Sequence, residues 1–209
     1  MSFDHWWFGL HIDEAEYERF RPGFAAAAAK ALLSPEANLA LESWRSRPID
    51  FEEPDVEQLP MSPEKGDLIN HFIWAFNLPG FEDFAAEFIT GELSDFLTEE
   101  RVFRFVSAKR NTPVSVLWHA LGDARASLLP GLMGNLLLHP RDISEAHDRV
   151  TRAYAGTSAA GLFEQAMRYC ASNVTADDTL TELISFLPDG LQRARDLGKG
   201  FLSLARAQT

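Results

Sequence analysis

Apolar residues recur along most of this chain at spacings of three and four, the period of an α-helix that buries one face. Leu68, Ile69, Phe72, Ile73 and Phe76 form one such face, and Phe81, Phe84, Ala85, Phe88 and Ile89 form the next. Pro79-Gly80 separates them. Val116, Leu117 and Ala120 predict a third helix, and Ile143, Ala146 and Val150 a fourth. Leu162, Phe163, Ala166, Met167 and Cys170 share another face, followed by Leu180, Leu183, Ile184 and Leu187. The punctuation agrees with these periods. Ser34-Pro35-Glu36 and Ser62-Pro63-Glu64 each set a capping serine before a proline at the first helical position, and Thr112-Pro113 repeats the device. Asp13 is placed to cap a short helix through Phe20, stopped by Pro22-Gly23, with a second helix over residues 24–33. Pro188 is read in the same way, as the break between a helix over 175–187 and a last short one ending near Leu197.

Three segments follow another period. Phe8, Leu10 and Ile12 alternate with Gly9 and His11, which predicts a strand over residues 3–12. Residues 102–107 are β-branched and aromatic, and residues 201–204 offer a terminal strand. Residues 128–138 carry turn signals at Pro130-Gly131 and Gly134-Asn135 around apolar positions, consistent with a buried loop or a short strand. The expected fold is α+β and helix-dominated, with eight or more helices. Its small sheet of two or three short strands would pair the two terminal segments with 102–107; an all-α fold is the alternative. Residues 1–209 read as a single globular domain.

Residues 47–65 break every period. Pro48, Pro54, Pro60 and Pro63 interrupt a run that carries Asp50, Glu52, Glu53, Asp55 and Glu57, so an extended acidic loop is expected. Charge sharpens this picture. The net charge is −12, and residues 1–105 hold 21 acidic against 8 basic side chains, so the whole imbalance lies in the first half. Phosphate binding requires clustered cations, which makes nucleic acid and anionic membrane surfaces poor partners. The amino terminus lacks a basic start and an apolar stretch, and Cys170 is the single cysteine. Both point to a reducing, cytoplasmic setting.

Catalytic and cofactor motifs are absent. The six histidines make no i, i+4 pair around a glutamate, and neither a nucleophile elbow nor a phosphate-binding glycine loop occurs. Cys170 sits on an apolar helical face, where a thiol is unreactive. No cofactor or metal is expected. Trp6-Trp7 is the ambiguous pair: adjacent strand residues face opposite sides, so one indole packs away from the other.

Two functional expectations follow. The first is a protein-binding module that covers a basic partner through its acidic half, with Asp50, Phe51, Glu52, Glu53, Asp55 and Glu57 as the partner-binding residues. Phe51, with Val56 and Leu59, would supply apolar anchors, and the charge would speed encounter. In general character this is similar to the immunity proteins of bacterial toxin systems, a likeness that no residue motif carries. The second is an enzyme with a composite site of His119, His139, His147, Arg141 and Asp142.

Overall fold

The computed structural model describes residues 4–52, 62–98, 101–109, 111–170 and 177–208. It is a helix-dominated α+β structure, with nine α-helices and four strands among those residues. In chain order these are β1 (Asp4–Ile12), α1 (Glu14–Lys30), α2 (Pro35–Ser46), α3 (Pro63–Trp74), α4 (Pro79–Ile89) and β2 (Val102–Lys109). There follow α5 (Pro113–Leu121), α6 (Asp123–Ala126), β3 (Leu136–Leu138), α7 (Ile143–Tyr154), α8 (Ala159–Cys170), α9 (Asp177–Leu197) and β4 (Gly200–Gln208).

The sheet is antiparallel with order β2-β1-β4-β3. The two terminal segments therefore lie side by side, and β2 flanks them, as the alternating pattern predicts. The fourth strand comes from the 128–138 stretch. Gly131 and Gly134 both take φ of +82°, which turns the chain into β3.

Period two sorts the sheet's two faces. Phe8, Leu10, Ile12, Leu202 and Leu204 point to one side, where α1 and α4 cover them with Phe20, Ala27, Phe81, Phe84 and Phe88. Trp7, Val106, Phe201 and Ala205 point to the other, into a larger core built with α2, α3, α5, α7, α8 and α9. Trp7 is fully buried and stacks on Phe186 at 3.9 Å. Its indole N–H donates to Gly134 O at 3.0 Å and Ser203 Oγ at 2.7 Å, which ties β1 to β4 and to the turn before β3. Trp6, on the opposite face, is half-buried beside Phe105.

The serine, threonine and aspartate caps form where the sequence places them. Asp13 makes a reciprocal capping box with Glu16, and Ser34, Ser62 and Thr112 accept from Ala37, Lys65 and Ser115 backbone N–H groups. Two predicted breaks do not occur. Pro22 lies inside α1 and Pro188 inside α9, so each pair of expected helices is one. A proline removes one N–H and so orphans the carbonyl four residues earlier. Glu18 and Pro22 are exposed, and water can serve that carbonyl. For Pro188 the orphan is Ile184 O, which accepts the Tyr154 hydroxyl at 2.7 Å. The acidic loop also begins differently from expectation: residues 48–51 form a 3₁₀ turn, and Phe51 is 1% exposed against Phe72.

Candidate functional site

Two places combine exposed chemistry with a defined shape. The first is a groove where four elements meet. Leu32, Leu33 and Ser34 from the α1–α2 connection face His71 and Trp74 of α3, with Asn77, Leu78 and Pro79 closing the floor, around a volume of about 200 Å³. Leu32 is 75% exposed and Trp74 37%. Leu39 on α2 and Ile49 in the 3₁₀ turn are also exposed. Large apolar groups in the open are normal singly; Leu32 and Trp74 are notable because they line one groove.

Exposed carboxylates lie on the three helices that frame this groove, none of them in its lining. α2 packs on α3 and α1 on α4, and the groove lies where the two pairs join. Glu36 and Glu42 project from α2, Glu64 and Asp67 from α3, and Asp83 and Glu87 from α4, all exposed. None of these six makes an ion pair with another described residue. The carboxyls of Glu36 and Glu64 are held below the usual range by their own backbone N–H groups and by the capping serines. Asp67, His71 and Trp74 follow one another at helical spacing along one exposed stripe of α3. Lys30 stands at the groove's edge, beside Gly80.

Of the residues predicted to meet a partner, Asp50 pairs locally with Arg47 at 3.1 Å, and Glu52 turns toward α5. Phe51 faces the core and is unavailable as an anchor, because it fills the space beside Phe72. Glu53, Asp55 and Glu57 lie outside the described residues, as do Val56 and Leu59. Sequence reasoning missed Leu32, Leu39, Ile49 and Trp74. Leu32 was expected inside a helix over residues 24–33, but α1 ends at Lys30 and leaves it in the connection; Ile49 falls in the proline-broken stretch, and Trp74 just off the Leu68–Phe76 face.

The second place is a pocket of about 350 Å³ beneath His119. The ring is 5% exposed and lies flat on Tyr169, with centroids 4.7 Å apart. Trp44 Nε1–H donates to His119 Nδ1 at 3.0 Å. An acceptor at Nδ1 puts the proton of the neutral ring on Nε2. Burial lowers the pKa of His119 to about 4, so the ring is neutral at pH 7. Glu52 Oε1 stands 3.7 Å from Nε2, too far for a good hydrogen bond and with no cation to pair. Arg125 of α6 and Gln165 of α8 line the same pocket, with Thr157 and Gly161.

The proposed composite of late histidines does not assemble. His139 lies edge-on to Tyr17, with Nε2 3.4 Å from Glu14. His147 sits beside Arg195 at 3.4 Å, and Arg141 pairs with its neighbour Asp142. These groups share no partner with His119. The side chain of Cys170 lies outside the described residues. Among the described residues no three His, Cys, Asp or Glu side chains converge as metal ligands, and no helix is long and apolar enough to cross a membrane. Compared with known proteins, the chain matches no family model, no curated protein and no solved structure.

Proposed function

We propose that this protein is a binding module for a basic protein partner, docking it on the groove between the α1–α2 and α3–α4 connections. The observation that carries the reading is the coincidence of exposed apolar groups with carboxylates on the neighbouring helices that make no ion pair among the described residues. Trp74 and Leu32 give a partner apolar surface to bury, and Glu36, Glu42, Glu64 and Asp67 give it a field to follow. A stoichiometric inhibitor in the cytoplasm, of the kind that immunity proteins are for nuclease toxins, has this character.

The test is capture on immobilised protein at low and high salt, with Trp74→Ala and with Glu36→Gln/Asp67→Asn in parallel. A basic protein retained at low salt and released at high salt supports the reading. Trp74→Ala should then release it faster, and the neutralised variant should slow its association by about tenfold. Capture of no basic protein, or equal capture by all three forms at any salt, would overturn it.

A further inference from the structure

The His119 pocket contains a pair of opposite charges that leave each other unmet. Glu52 and Arg125 line one volume, yet no contact within 4.0 Å joins them. The Arg125 guanidinium has no ion pair or side-chain hydrogen bond to any described residue. Among the described residues, the one charged-group approach to the Glu52 carboxylate is that of the neutral His119 ring. Opposite charges in one concavity collapse onto each other unless the walls hold them apart, and here they come from different elements: the end of the 3₁₀ turn and α6. In the same pocket the Nε2–H of His119 is a fixed donor, because the Trp44 bond and the Tyr169 stack set the ring's tautomer and orientation. Gln165 and Thr157 also line the pocket, the Thr157 hydroxyl donating to Tyr154 O at 2.7 Å and so offering only its lone pairs.

We propose that this pocket binds a small zwitterion of the free amino acid class, its ammonium group at Glu52 and its carboxylate at Arg125 and His119 Nε2–H. A monocation would leave Arg125 unpaired, and a monoanion would leave Glu52 so; a molecule with both charges satisfies the two together. The volume is that of an ordinary small-ligand site. A space without side chains is also provided: a Cβ on Gly122 would meet nothing within 4 Å, and one on Gly161 would meet only the Ser158 hydroxyl. The site stands apart from the docking groove and does not depend on it.

Thermal-shift and calorimetric titrations with the standard amino acids, each at about 10 mM, test this directly. At least one should raise the melting temperature. Its decarboxylated amine and its N-acetyl derivative should each bind about ten- to a hundredfold more weakly, since each lacks one charge. Glu52→Gln and Arg125→Gln should weaken the parent ligand to the same extent. Gly161→Leu fills the pocket while leaving every polar group in place, and should abolish binding with the far-ultraviolet circular dichroism unchanged. The proposal fails if no amino acid binds, if the one-charge analogues bind as well as the parent, or if binding survives Gly161→Leu in a folded protein.

Discussion

Trp44 gives its only side-chain proton to His119, and that bond explains how an imidazole survives at 5% exposure. With Nδ1 satisfied and the ring stacked on Tyr169, the neutral form fits and the charged form does not. The unfolded histidine titrates near 6.5 and the folded one near 4. Between those values the unfolded chain binds the proton and the folded chain resists it. Stability is therefore complete above about pH 6.5 and drains as the pH falls toward 4, by about 3 kcal/mol for this one group. His119→Gln keeps an acceptor for Trp44 and removes the titration. Urea melts across that range should show the wild type losing stability relative to the variant; parallel curves would mean that the ring protonates freely in the fold.

Prolines are the clearest case at the scale of elements. Helix periods, caps and the strand pattern were all legible, because each follows from side chains a few residues apart. Pro22 and Pro188 were misread as stops, because what serves an orphaned carbonyl is not local sequence: solvent at the exposed Glu18 carbonyl, and a distant side chain at Ile184. Tyr154, on α7, supplies the hydroxyl that serves Ile184 O in α9. Nothing in the spacing announces a partner 30 residues away. Tyr154→Phe should cost about 1–3 kcal/mol by stranding that carbonyl. In a Pro188→Ala background the restored N–H takes the carbonyl instead, and the same substitution should cost much less; equal costs in the two backgrounds would show that Tyr154 acts through packing alone. The junction of α1 with α4 rests on a similar distant contact. A Cβ on Gly80 would stand 2.2 Å from Ala27 O, a backbone atom with no freedom to retreat. Gly80→Ala should accordingly destabilise by about 1–3 kcal/mol in denaturant titration, whereas helix propensity alone would make it stabilising.

Charge and topology act together over the whole molecule. Two ion pairs, Arg45 with Asp123 and Arg104 with Asp189, join early cations to late acids, while Arg101 pairs with the early Glu16. The first two spend positive charge of the acidic half on acids of the other half. The positions of the exposed apolar groups were illegible in the sequence: Leu32 and Trp74 become neighbours only when α1–α2 and α3–α4 meet. A net charge of −12 should make the folded state repel itself. Sodium chloride raised from about 10 mM to about 150 mM shortens the screening length from about 30 Å to about 8 Å, so the urea midpoint should rise without a change in slope. Asp67→Lys should raise the midpoint at low salt and blunt its salt response. A midpoint indifferent to salt would mean that the carboxylates are compensated within the fold, and the docking surface would lose its electrostatic basis. A midpoint that rises would mean that the fold retains a repulsion it could shed by single substitutions, which is the expected signature of charge kept for a partner.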